Sequence, residues 1–182
     1  MTTIEQGQTS VPTGTWTVDP VHSSVGFAVR YTGTITFKGE FGDFDATLAD
    51  GRLEGAARVA SVEVDDPNLA AHLQTPDFFD AERNPELRFR SGTIERDDDR
   101  FQVEGELTLK GVTRPVELAG TFSGPVTDAY DKQRIGVELE TVVNRHDFGI
   151  SWNMDLPDGS PALADDVAVT ANLALVQAEG QA

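Results

Sequence analysis

The chain has 182 residues, 38% of them hydrophobic, which fits one domain with a core but offers no apolar run near the roughly 18 residues of a membrane-spanning helix. Acidic residues outnumber basic ones 31 to 14, and the formal charge of −17 repels phosphate backbones, which argues against a nucleic-acid partner. There is no cysteine, so disulfide and thiol chemistry are excluded, as suits a cytoplasmic location.

Residues 1–14 carry neither the basic nor the apolar region of a secretory signal and are expected to form a disordered lead. The domain is expected over 15–177, with a short tail at 178–182. From Val25 the dominant pattern is alternation, the mark of half-buried strands. Val25, Phe27, Val29 and Tyr31 share one face of a first strand. Ile35, Phe37 and Phe41 form a second, with Gly39 between them. A third lies near 52–64.

The rhythm then breaks. Asp66-Pro67 reads as an N-cap followed by proline at the first helical position. Leu69 and Leu73 fall on one helical face. Pro76 ends the run by disfavouring helix at Thr75. Thr75-Pro76-Asp77 caps a further turn that carries Phe78 and Phe79, and Asn84-Pro85 returns the chain to extended structure. A polar, proline-broken connector thus carries two large adjacent rings. They plug the end of an ordinary core, or they line a place where something is held.

Leu87 and Phe89 then face away from Arg88 and Arg90. Phe101, Val103, Leu107 and Leu109 alternate with polar residues, as do Val116, Leu118 and Phe122, then Ile135, Val137 and Leu139, then Val167, Val169, Leu173 and Leu175. The count is about eight strands, and connections such as 96–100 and 110–114 are short, which makes the strands they join antiparallel neighbours. Residues 152–166 are too long for a tight hairpin, and such loops are usually functional or mobile. The fold class is all-β: an eight-stranded antiparallel barrel with a short helical excursion between the third and fourth strands, a sandwich being the competitor. A barrel of that size is filled by side chains or holds a small ligand. Phe27, Phe37, Phe41, Phe89, Phe122 and Phe148 suit either interior.

Reactive chemistry is thinly represented. His22, His72 and His146 stand at no metal-ligand spacing, and Asp97-Asp98-Asp99 lacks the spaced oxygens of a calcium loop. No nucleophile elbow or phosphate-binding glycine loop appears. His22 and Ser23 are adjacent on a strand and point to opposite faces. Arg145-His146-Asp147 beside Phe148 has two readings. Arg145 pairs with a carboxylate and braces a strand end, or it grips a carbonyl or phosphate at the mouth of a pocket.

Four stretches, in order and over roughly residues 15–177, resemble the YceI-like family of polyisoprenoid-binding domain proteins. They run from Val18-Asp19-Pro20-Val21-His22-Ser23-Ser24-Val25-Gly26-Phe27 through His72-Leu73-Gln74-Thr75-Pro76-Asp77-Phe78-Phe79-Asp80. The third runs from Gly105 to Val116, and the fourth is Asn144-Arg145-His146-Asp147-Phe148-Gly149-Ile150. The resemblance implies a lipocalin-like barrel around a long apolar tunnel for an isoprenoid chain, with no metal, no cofactor beyond the bound lipid and no established reaction. It implies a wall formed by Phe27, Val29, Tyr31, Phe37 and Phe41 of the first strands and by Leu69, Leu73, Phe78 and Phe79 of the excursion. Phe89, Leu107, Phe122, Phe148 and Trp152 complete it, with Arg145 and His22 as head-group candidates. The chain departs from the family by carrying Thr36, Glu40, Leu69 and Gln74 where relatives often place basic groups.

The expected function is non-catalytic binding, sequestration or transport of an isoprenoid or isoprenoid quinone, with a preference for a neutral head. An enzyme acting on a lipid or quinone is the alternative, with Tyr31 and His22 as its acid–base candidates. A stress or interaction protein with a filled barrel is the third. A homodimer through an outer strand face is compatible with each.

Overall fold

The computed structural model describes residues 11–178. Its eleven strands form one antiparallel sheet, but they make only eight passes, because the first three passes are each broken by a kink. The first pass is β1 (Thr15–Val18) and β2 (Ser24–Tyr31). The second is β3 (Ile35–Phe41) and β4 (Phe44–Ala49), and the third is β5 (Arg52–Arg58) and β6 (Val62–Glu63). The remaining five are β7 (Glu86–Asp97), β8 (Arg100–Leu109), β9 (Val112–Thr127), β10 (Gln133–Asn144) and β11 (Leu163–Gln177).

Closure decides between barrel and sandwich. β11 pairs with β10 along one edge, and along the other with β2 and then β1, where Trp16 stands opposite Gln177. The ring is therefore an up-and-down barrel of eight antiparallel passes, as the alternation predicts. The counted strands correspond to these passes. The short segments β1 and β4 escape the count because kinks separate them from the longer runs.

Local chemistry makes each kink. In the first pass Pro20 removes a ladder donor, and the Asp19 carboxylate accepts the Val21 N–H at 3.0 Å. Ser23 Oγ donates to Asp19 O at 2.6 Å and accepts from Ala174 N at 2.8 Å, so the kink stays stitched to β11. In the third pass Ser61 Oγ donates to Arg58 O at 2.6 Å and accepts from Asp43 N at 3.0 Å. Gly42 N meets Ser61 O at 3.0 Å, which ties the second kink to the third.

Beyond its kink the third pass is only two residues long, and β6 pairs with β3 alone among the described strands. The excursion follows at this point. Its helix α1 (Pro67–Leu73) starts where the Asp66 carboxylate accepts Asn68 N at 2.8 Å, and it ends at Gln74. A compact turn follows in which Phe78 N and Asp80 N both donate to Thr75 O at 2.9 Å. Lys110 Nζ clips the turn to the β8–β9 hairpin through Pro76 O.

The interior divides into two. The lower half is closely packed: Trp16, Leu48, Phe101, Val103, Phe122 and Leu175 are each at most 2% exposed and pack as one cluster, whose upper members Leu118, Leu139 and Leu173 border a small cavity of about 80 Å³. The upper cluster gathers Phe41, Leu73, Phe78, Phe79, Phe148 and Ile150 around the excursion. Most of the expected lead and tail lies outside the described residues. Within the described part, Val11 packs on the lower core, and Ala178 N donates to Thr15 O at 2.8 Å. Among the described residues no helix is long and apolar enough to cross a membrane.

Candidate functional site

The upper half of the barrel is hollow. A cavity of about 440 Å³ reaches the upper rim, where Tyr31 is 47% and Met154 57% exposed. One wall comes from β2, β3 and β11 through Val25, Phe27, Val29, Phe37, Phe41 and Val169. The excursion supplies a second wall through Asp66, Leu69, His72, Leu73, Phe78 and Phe79. Leu87, Leu107, Leu109 and Val143 add the β7, β8 and β10 side, and Ile150, Trp152 and Leu163 come from the segment around the long loop.

Two aromatic groups shape this space. Phe27 meets Phe41 at 5.8 Å, Phe79 at 5.9 Å and Phe37 at 6.5 Å between ring centroids. Its ring lies across β3 because Gly39 has no side chain: a Cβ there would stand 2.5 Å from Phe27 Cζ. In the second group His72, Phe78 and Trp152 are mutual neighbours at 4.9 to 5.3 Å, with His72 edge-on to both rings. Such contacts stabilise by roughly 0.5–1.5 kcal/mol each beyond the area they bury. Phe78 and Phe79 therefore do both things the sequence allows: they bury themselves in the upper cluster and line the hollow.

Arg145 is the one strongly polar group buried in this wall, at 4% exposure. It opens a helical turn, Arg145–Phe148, that Asn144 caps by accepting His146 N at 2.9 Å and that Gly149 ends at φ 75°. Its Nε donates to Ala164 O at 2.8 Å, and its Nη1 to Ile150 O at 2.9 Å and Trp152 O at 2.8 Å. The partner is thus a set of three backbone carbonyls, and the expected pairing with a carboxylate is replaced by this clasp. Burial pushes its pKa below the ordinary arginine value, with Asp165 pulling the other way. Nη2 is buried and meets no acceptor among the described residues.

A model of the YceI-like domain matches residues 16–175. The chain belongs to the YceI-like family. Protein YceI of Escherichia coli O157:H7 is 31% identical over 140 residues, which are 73% of this chain and 73% of that protein. The YceI protein of Campylobacter jejuni has a solved structure that is 25% identical, covering 78% of this chain and 85% of its own, with a TM-score of 0.67. BcnA of Burkholderia cenocepacia shares the fold at 19% identity and a TM-score of 0.71, over 86% of this chain and 98% of its own. So does a polyisoprenoid binding domain from Saccharophagus degradans, at 13% identity and a TM-score of 0.71, over 90% of this chain and 98% of its own.

Within this YceI-like barrel the residues singled out from sequence fall into two sets. Phe27, Val29, Tyr31, Phe37, Phe41, Leu69, Leu73, Phe78, Phe79, Leu107, Trp152 and Arg145 line the upper cavity. Four do not. Phe122 stacks on Phe101 at 5.3 Å inside the closely packed lower core. Phe148 is 1% exposed and packs behind the cavity wall. Phe89 lines a separate cavity of about 80 Å³ beneath the first. His22 sits on the outside at the first kink, its side chain 67% exposed and its Nδ1 2.7 Å from Asp19 Oδ2.

Three further cavity-lining residues carry heteroatoms: the sequence marks His72 only as standing at no metal-ligand spacing and Asp66 only as a helix cap, and it gives Met154 no role. The position of His72 one helical turn past Leu69 was the available signal. Each histidine meets one carboxylate, His72 with Asp77 at 3.1 Å and His146 with Asp165 at 2.8 Å. Among the described residues no three carboxylate or imidazole groups converge to hold a metal.

Proposed function

We propose that this YceI-like barrel binds a single apolar lipid, an isoprenoid or isoprenoid quinone, in its upper cavity and sequesters or carries it without changing it chemically. The observation that carries this is the shape and chemistry of the hollow: about 440 Å³ walled by aliphatic and aromatic side chains, closed below and open above. Burial is the driving force. Each CH₂ removed from water contributes roughly 0.8 kcal/mol, so one isoprene unit contributes about 3–4 kcal/mol before the cost of association.

The head group is neutral and carries a carbonyl. Arg145 already spends its Nε–H and both Nη1 hydrogens on backbone carbonyls. Its Nη2 hydrogens are the buried donors left, and a carbonyl oxygen matches them. A diphosphate would need several cations. The nearby Lys110 and Arg114 are committed to the carbonyls of Pro76, Gly149 and Asp147, and the protein's overall charge of −17 opposes an anion.

Extraction of the purified protein followed by mass spectrometry tests the proposal. Neutral, carbonyl-headed isoprenoids should predominate, and recovery of mainly diphosphorylated chains would count against it. A catalytic role would require an acid or base working in the apolar space. His22 lies outside it, which leaves Tyr31 of the two sequence candidates at the rim. Incubation of a bound quinone with the protein should return it unchanged.

A further inference from the structure

Resting on the lipid-binding role proposed for the same cavity, we infer that Gly39 sets the girth of the guest. By leaving a seat in the wall for the Phe27 ring, it lets the hollow admit a methyl-branched chain and not only a straight one.

Nothing in the backbone asks for glycine at this position. Gly39 lies inside β3, and its φ is outside the left-handed region. A glycine within a strand weakens it, and often marks a place where another group comes close. Here the close group is one side chain. A Cβ at position 39 would stand 2.5 Å from Cζ, 2.9 Å from Cε1 and 3.2 Å from Cε2 of Phe27. Gly105, by contrast, is crowded first by backbone, with Arg90 O at 2.3 Å. Among the described strand glycines, Gly39 alone has a single side chain as its three nearest neighbours. The glycine is there for the ring.

The surroundings decide where that ring would go if it lost its seat. Val169, Phe27 and Gly39 form one row across β11, β2 and β3. Phe27 leans along this row, and its ring tip takes the place of a side chain at 39. Phe37 and Phe41 stand two residues to either side of Gly39, on the same face of β3. Their ring centroids are 6.5 and 5.8 Å from that of Phe27, and Phe79 of the excursion stands at 5.9 Å. Val169 holds the opposite flank, and all of these residues line the cavity. A displaced ring is therefore blocked along the wall and turns into the hollow. The side methyls of an isoprenoid chain stand out from its axis and lose that room first. A straight alkyl chain is thinner and loses less.

The test uses two benzoquinones whose side chains have the same main-chain length, one with three isoprene units and one with a straight dodecyl chain. Each is titrated into the delipidated protein, and quenching of tryptophan fluorescence reports binding beside Trp152 in the cavity wall. Gly39→Ala should weaken the isoprenoid probe at least tenfold and the dodecyl probe at most threefold. Adding Phe27→Leu to Gly39→Ala should bring the isoprenoid probe back to within threefold of wild type, because the displaced ring is gone. Phe27→Trp overfills the seat with Gly39 in place and does not depend on Gly39→Ala folding, and it should show the same split between the probes. Unchanged binding of the isoprenoid probe in either single variant overturns the proposal, as do equal losses of both probes or a loss that Phe27→Leu does not relieve. If neither probe binds the wild type, the lipid-binding role itself fails, which is a separate outcome from binding that ignores position 39.

Discussion

Arg145 is the residue where sequence and structure part most instructively. The Asn-Arg-His-Asp-Phe-Gly string announced a polar group near the end of a strand, and a buried arginine is expected to have a partner. Its partners proved to be the carbonyls of Ile150, Trp152 and Ala164, which any residue type provides, so nothing in the side-chain sequence marked them. Arg145→Met should strand three carbonyls and destabilise the fold by at least about 2 kcal/mol in urea unfolding. Arg145→Lys should recover less than half of that loss, because a point ammonium cannot span the three acceptors that a planar fork reaches. The aromatic residues carry the opposite lesson. Phe122 and Phe27 look alike on their strands, yet one fills the packed core and the other lines the hollow. Alternation reports which face is inward, and it is silent on whether the inward faces meet.

Among the elements, α1 was the most legible, because capping is local chemistry: Asp66, Pro67 and the pair Leu69 and Leu73 fix its start and its buried face. Asp66→Ala should cost about 1 kcal/mol, felt chiefly in the excursion as faster amide hydrogen exchange over 67–85 than over β8 to β10. The kinks were less legible. Asp19-Pro20 does mark one, but the ties that hold it come from 115 residues away, where Arg134 Nη1 meets Asp19 Oδ2 at 2.9 Å while its Nε meets Asp128 Oδ2 at 2.5 Å. This network joins the first kink to the β9–β10 hairpin. Hydrogen bonds from His22 and then Arg134 lower the pKa of Asp19 to about 2, and Arg134, with the Lys132 N–H, lowers that of Asp128 to about 2. Both folded values lie below the unfolded one of 3.8, so the stabilisation is complete above about pH 4 and is lost as pH falls toward 2. Unfolding midpoints measured from pH 6 to pH 2 should fall across that window, and Arg134→Ala should flatten the fall.

At the scale of the whole molecule, the eight antiparallel passes were readable because each long run alternates and most links are short, the excursion before β7 and the segment before β11 being the two long ones. The closure of the ring depends on β1 meeting β11 from opposite ends of the chain, Trp16 opposite Gln177 and Val18 opposite Leu175, and no local pattern encodes it. The half-packed, half-hollow interior is likewise a property of the closed ring. It arises where the third pass shortens to β6 and the excursion, with its two phenylalanines, takes over part of the wall. A guest that binds only the folded barrel should raise its stability by RT ln(1 + [L]/Kd), about 2.7 kcal/mol at a hundredfold excess over Kd, so stripping the lipid should lower the thermal midpoint and adding it back should restore it.

Everything turns on whether that upper hollow takes in an apolar chain. Native mass spectrometry of the protein, before and after organic extraction and again after incubation with a prenylated benzoquinone, asks this most directly. The account predicts one lipid per chain, removed by the solvent and restored by the quinone. A bare chain mass at all three stages would contradict it.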